Sequence, residues 1–146
     1  MSDFRALSDR VLASPQIATE DIAVAQACGV STVVNNRPEG EADDQTPGAA
    51  IEAAARSLGL DYVAIPITPG SFSEDQVQAM ADVLRRADGK VLAFCRTGTR
   101  STLLWALAQA AMGKPAEEVA AAAGAAGYDV SPVMQAMATL AARARS

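Results

Sequence analysis

A chain of 146 residues, half of them hydrophobic, is long enough to bury one core without metal or disulfide support and fits a single domain over 1–146. A net charge of −5, with Lys90 and Lys114 as the only lysines, excludes nucleic acid as the main partner, because a phosphate backbone needs clustered Lys and Arg. The absence of histidine removes a His–Cys dyad, a Ser-His-Asp triad and nearly all zinc hydrolase sites, so chemistry must come from Cys, carboxylates, Arg and backbone, with no metal or organic cofactor implied.

The start, Met1-Ser2-Asp3-Phe4-Arg5, is polar where a leader needs a basic start and an apolar run. No apolar stretch approaches the ~18 residues that span a bilayer, so the expectation is a cytoplasmic protein with no membrane partner and with Cys28 and Cys95 reduced. Val11-Leu12-Ala13 before Ser14-Pro15 reads as a strand and turn. Thr19-Glu20-Asp21 opens a helix with Thr19 as N-cap, which stops at Cys28-Gly29. Cys28, with no basic neighbour, reads as a core residue. Ser31–Asn35 is a β-branched strand, and the stretch 36–45 has the turn formers of an exposed loop.

A helix is predicted from about Pro47 to Leu58, closed by Gly59, and a strand over Tyr62–Ile67. Ser73-Glu74-Asp75-Gln76 has the form of a capping box for a helix with Val77, Met80, Val83 and Leu84 on one face. Val91–Phe94 is an unbroken apolar run of the kind buried on both faces of a parallel sheet. A helix from about Arg100 to Met112 follows, with Leu104, Trp105 and Leu107 as core, then two alanine-rich helices near 115–126 and 131–143. Strands alternating with helices imply an α/β fold, a mostly parallel sheet flanked by helices.

Between the apolar strand and the next helix lies Cys95-Arg96-Thr97-Gly98-Thr99-Arg100-Ser101. Ligands of open parallel sheets bind beyond the carboxyl ends of strands, and a loop entering a helix N-terminus turns backbone N–H groups inward as an anion nest. Gly98 permits the tight curl. Arg100 can place a planar guanidinium over the same point, Arg96 adds positive field, and both favour the thiolate of Cys95. A lone cysteine is usually a small buried hydrophobe; strand, Cys, Gly, Arg and helix in this order make it a nucleophile facing an anion cradle. Asn35, Asn36 and Arg37 end a neighbouring strand. They either line the same cleft, or the asparagines satisfy turn backbone while Arg37 pairs with Glu39 or Glu41.

The heptapeptide 95–101, with Val33-Val34-Asn35-Asn36-Arg37-Pro38-Glu39 and Ile65-Pro66-Ile67 upstream, resembles the phosphatase-like domain of the beta-lactamase hydrolase-like proteins over nearly the whole chain. The resemblance implies a cysteine-dependent, dual-specificity or tyrosine phosphatase-like fold and either a phosphatase or a sulfurtransferase role, sometimes with a persulfide dioxygenase as partner. The phosphatase signature is His-Cys-x5-Arg, whereas Phe94 precedes Cys95, Arg100 follows after four residues, and Ser101 stands where the arginine belongs. Such phosphatases also place an aspartic acid in the loop that here reads Thr68-Pro69-Gly70-Ser71-Phe72; Asp43, Asp44, Glu74 and Asp75 are the possible substitutes. The shorter loop is similar to that of rhodaneses, which carry a cysteine persulfide.

The first expectation is therefore a sulfurtransferase in which Cys95 carries sulfur, Arg96 and Arg100 bind the donor's sulfonate, and Thr97, Gly98, Thr99 and Ser101 supply loop donors, with Asn36 and Arg37 beside them. A small anionic sulfur or phosphate compound is the substrate. The second is a phosphatase acting through a phosphocysteine. The third is a module that binds an anion or persulfide without turnover.

Overall fold

The strand that leads into the motif occupies the middle of the sheet. In the computed structural model, which describes residues 2–145, the strands are β1 Arg5–Ala6, β2 Val11–Ser14, β3 Val30–Asn35, β4 Asp61–Ala64 and β5 Lys90–Phe94. Their order is β1-β2-β5-β3-β4; β1 is antiparallel to β2 and every other pairing is parallel. The helices are α1 Asp21–Ala27, α2 Gly48–Ser57, α3 Glu74–Arg86, α4 Thr99–Ala111, α5 Ala116–Ala125 and α6 Met134–Arg145, the last preceded by a 3-10 turn at Ser131–Val133.

Alternation along β5 divides the interior in two. Leu92 and Phe94 join Ile22 and Ala25 of α1 and Ile51 and Ala55 of α2 on one face. Val91 and Ala93 join Val77 and Met80 of α3, Leu104 and Leu107 of α4, Val119 of α5 and Met137 of α6 on the other. On β3, Val33 and Val34 divide in the same way, and Val30 reaches the face of Val33 because the register shifts between Val30 and Thr32.

α4 is the central helix of its layer. Residues Ser101 to Ala108 are all buried, and α3, α5 and α6 all pack against it, which is why its apolar residues show no one-sided stripe. Trp105, Leu104 and Leu107 are core, as their types suggest. At the head of α3 the capping box forms in both directions: Ser73 Oγ accepts from Gln76 N–H, and Gln76 Oε1 accepts from Ser73 N–H.

Several local expectations are corrected. Thr19 does not cap α1; Glu20 holds that position without a side-chain bond, and Asp21 instead accepts from the Ala18 N–H. Cys28 is exposed, because α1 is a seven-residue helix whose inward face is Ile22 and Ala25, and Cys28 falls at its C-cap. The strand expected over 62–67 ends at Ala64. Beyond it the Ile65 and Ile67 N–H groups still donate to Asn35 and Asn36 carbonyls, but Pro66 between them has no N–H to continue the ladder. β1, two residues long and exposed, carries no periodic signal. No helix among the described residues is long and apolar enough to cross a membrane.

Truncating the central helix tests this core. Leu104 is 0% exposed, so Leu104→Ala should lower unfolding free energy by about 2–5 kcal/mol, read from urea denaturation; a loss under about 1 kcal/mol would place it outside the close-packed interior.

Candidate active site

β5 ends at Phe94 and α4 begins at Thr99, so four residues carry the chain from strand to helix. The turn is made at Gly98, which holds φ +91°, a left-handed conformation that residues with a Cβ adopt only at a cost. Space excludes a side chain as well, since a Cβ there would collide with the Tyr128 hydroxyl. Tyr128 backs the loop from the α5–α6 connection: its hydroxyl reaches the Thr97 carbonyl at 3.5 Å, and the Arg5 guanidinium lies 5.4 Å from its ring centroid, within cation–π range.

Cys95 is fully buried. Its N–H donates to the Ser14 carbonyl at the end of β2 (3.3 Å), and the Gly98 N–H points at its Sγ (3.1 Å). Thr99 N–H is taken by Thr97 Oγ1, and Thr102 N–H by the Gly98 carbonyl. The backbone N–H groups of Arg96, Thr97, Arg100 and Ser101 donate to no protein acceptor among the described residues. Open donors in the loop that carries Cys95, at the start of a thirteen-residue helix, suit an anion nest, reinforced by the helix dipole.

Arg100 is held by three bonds. Nη1 donates to Glu41 Oε2 (2.9 Å) and to the Ile67 carbonyl (2.7 Å), and Nη2 donates to Glu41 Oε1 (2.8 Å). Arg37 is buried; its Nε donates to the same Glu41 Oε1 (2.9 Å) and its Nη1 to Gln16 Oε1 (3.0 Å). Of the two readings of Arg37, pairing with Glu41 is the one the structure contains. Glu39 instead accepts from the Gly48 N–H at the start of α2. Hydrogen bonds from Arg100, joined by those from Arg37, lower the Glu41 carboxyl from its ordinary 4.5 to about 2 against the opposing effect of burial. The same bond from Glu41 is the main cause that raises the Arg100 guanidinium, with attraction from Cys95 adding to it.

The remaining sequence candidates divide. Arg96 is exposed at the loop rim and makes no ion pair among the described residues, so its charge is available to an incoming anion. Thr97 and Thr99 hydroxyls bond each other at the exposed rim (3.1 Å). Asn36 and Ser101 do not line an open cleft. Both are fully buried, Ser101 Oγ donates to Asn36 Oδ1 (2.7 Å), and Asn36 Nδ2 donates to the Ile65 carbonyl (2.9 Å). They bolt α4 to the ends of β3 and β4 through their side chains, which leaves only the Ser101 N–H for a ligand. Asn35 Nδ2 likewise binds the Tyr62 hydroxyl. Gln16 and Tyr128 are neighbours that sequence patterns do not single out, nor do those patterns pair Glu41 with its second partner, Arg100. A groove of about 850 Å³ between α3, α4 and α6, with Phe72, Val77 and Leu140 among its lining, shares no residue with the Cys95–Ser101 loop.

The acidity of Glu41 makes a pH-dependent prediction. A carboxyl lowered on folding stabilises the native state fully above its unfolded value, here 4.5, and loses that contribution as the pH falls toward about 2. The difference in urea midpoint between the parent and Glu41→Gln should therefore be constant at neutral pH and shrink from pH 4.5 downward; a difference unchanged down to about pH 2 would contradict the ion-pair geometry.

Comparison with known proteins gives the same outline. A family model described as "Beta-lactamase hydrolase-like protein, phosphatase-like domain" matches residues 3–112. The beta-lactamase hydrolase-like protein of Xylella fastidiosa (strain Temecula1 / ATCC 700964) is 33% identical over 125 residues, 85% of this chain but 29% of that protein, so the chain spans about three-tenths of the length of the curated relatives it matches. A crystal structure from Neisseria meningitidis, of a protein described as a candidate phosphatase, superposes with TM-score 0.80 and 29% identity over 93% of this chain and 96% of that one. Tk-PTP in its active form superposes with TM-score 0.72 at 18% identity, covering 96% and 97%, and shares the fold. The chain has a tyrosine phosphatase-like α/β fold, and it belongs to the family of the phosphatase-like domain of beta-lactamase hydrolase-like proteins.

Proposed function

We propose that the protein is a cysteine-dependent sulfurtransferase that carries sulfur as a persulfide on Cys95. The observation that carries this reading is the pairing of Glu41. It is the carboxylate beside Arg100, and both its oxygens accept from Arg100, one of them from Arg37 as well. It is thus held as the ionised partner of two guanidinium groups and is not placed to give a proton to a departing alkoxide. The loop Thr68–Phe72 leaves from Ile67, whose carbonyl accepts from Arg100, and contains no acid. Glu74, the first residue of α3, pairs with Arg143 of α6, Asp75 beside it is exposed, and Asp43 and Asp44 are exposed on their loop. General acid catalysis contributes about 10²–10⁴ in rate, and a phosphatase built on these residues lacks it.

Sulfur transfer has no such requirement. The Cys95 thiolate attacks the outer sulfur of thiosulfate, a Cys–S–S⁻ bond forms, the S–S bond of the donor breaks, and sulfite leaves with its electron pair and no proton. The open N–H groups of Arg96, Thr97, Arg100 and Ser101, together with the Arg96 and Arg100 guanidinium groups, supply the charge stabilisation. A thiol or cyanide acceptor then removes the outer sulfur and regenerates the thiolate. Phosphate-ester hydrolysis through a phosphocysteine is the second reading, favoured by the likeness to the Neisseria meningitidis protein.

Incubation with thiosulfate should add one sulfur, about 32 mass units, to the peptide containing Cys95, and cyanide should remove it as thiocyanate; Cys95→Ser should do neither. No adduct on Cys95, with efficient hydrolysis of phosphotyrosine by the parent and none by Cys95→Ser, would put the phosphatase first.

A further inference from the structure

We propose that Glu41 is a positioning residue: it closes a ring of hydrogen bonds that begins and ends in the Cys95–Ser101 loop and fixes the edge that Arg100 presents to the bound anion. The proposal rests on the reading that Arg100 binds a tetrahedral anion above Cys95, whichever reaction follows.

The ring can be followed bond by bond. The Gln16 N–H donates to the Arg96 carbonyl (3.2 Å). Gln16 Oε1 accepts from Arg37 Nη1, Arg37 Nε donates to Glu41 Oε1, and both Glu41 oxygens accept from Arg100. Three segments, the β2–α1 connection, the β3–α2 loop and the motif loop, are tied through one carboxylate.

A guanidinium has five N–H donors. In Arg100 both Nη1 hydrogens are taken, by Glu41 and Ile67, and one Nη2 hydrogen is taken by Glu41. What remains is the Nε–H and the second Nη2–H, adjacent on one edge and spaced to grip two oxygens of an anion. Glu41 thus occupies the fork end of Arg100 and leaves the other edge without an oxygen acceptor, while Cys95 also hydrogen-bonds the guanidinium. The carboxylate is itself fixed, because Gln45 Oε1 accepts from the Glu41 and Ala42 N–H groups while Gln45 Nε2 donates to the Pro38 carbonyl. A braced loop is the form of a support; a gate that yields its place to substrate would need one free to swing away.

The two roles predict opposite changes in anion affinity. The experiment titrates sulfate into the full chain carrying Cys95→Ser, which turns over neither substrate class, by calorimetry. Glu41→Gln keeps one acceptor and loses the charge and the paired grip, so sulfate should bind about 10-fold more weakly. If Glu41 acts through Arg100, the same substitution made on top of Arg100→Lys should change affinity less than about twofold. Tighter sulfate binding by Glu41→Gln, an effect of equal size in both backgrounds, or a lowered melting temperature with unchanged affinity would each overturn the proposal. If Glu41→Gln does not fold by circular dichroism, Gln16→Ala opens the ring at another point and should weaken sulfate binding in the Arg100 background only; unchanged affinity would overturn the proposal. An Arg100→Lys variant that binds sulfate as tightly as its parent would instead remove the anion site itself, and the positioning role with it.

Discussion

Between Phe94, the last residue of the central strand, and Thr99, the first of the central helix, four residues must redirect the chain, and the site follows from that constraint. Both flanking elements are buried and cannot shift to relieve the turn. The backbone therefore curls at Gly98 with a positive φ, and the Gly98 N–H points at Cys95 Sγ. Helix geometry leaves the first donors of α4 without intrahelical partners; here Thr97 Oγ1 takes the Thr99 N–H, and those of Arg100 and Ser101 stay open beside the Cys95 loop. The nest is a property of the backbone path, and Cys95 and Arg100 are the side chains placed to use it.

Charge at this nest is organised by a carboxylate from elsewhere in the chain. Glu41 lies 59 residues before Arg100, yet its carboxylate accepts from both Arg100 and Arg37, so two guanidinium groups share one negative charge. In the proposed sulfur transfer, this arrangement serves an anion that needs electrostatic stabilisation and a leaving group that needs no proton. The tyrosine phosphatase-like fold and family membership are compatible with either chemistry. What separates them is the acid, and both oxygens of the carboxylate nearest Arg100 are taken by guanidinium donors.

The path from β5 through the loop into α4 is legible in the sequence because each signal is local: an apolar run too continuous for one-faced burial, a glycine, and an arginine at the helix start. The capping box at Ser73 is legible for the same reason. The role of Glu41 is not, since nothing within its own polar loop distinguishes it from Glu39 or Asp43; only the parallel pairing of β3 with β5 brings that loop over Arg100. Asn36 shows the complementary error. A polar residue at a strand end beside a cleft suggests a ligand contact, but its amide holds Ser101 and the Ile65 carbonyl inside the fold. Cys28 is misplaced because the lack of a basic neighbour does not make a residue core: it falls at the C-cap of α1, outside the inward face of Ile22 and Ala25.

In the proposed sulfur transfer the loop is a cradle for a sulfur anion on Cys95. A crystal structure of the protein reacted with thiosulfate measures this most directly. The account predicts a second sulfur bonded to Cys95 Sγ, within hydrogen-bond distance of the open loop N–H groups and the free edge of Arg100, with the Glu41–Arg100 pair intact. A Cys95 left unmodified and sulfur found on Cys28, or an anion bound with Glu41 expelled from Arg100, would contradict it.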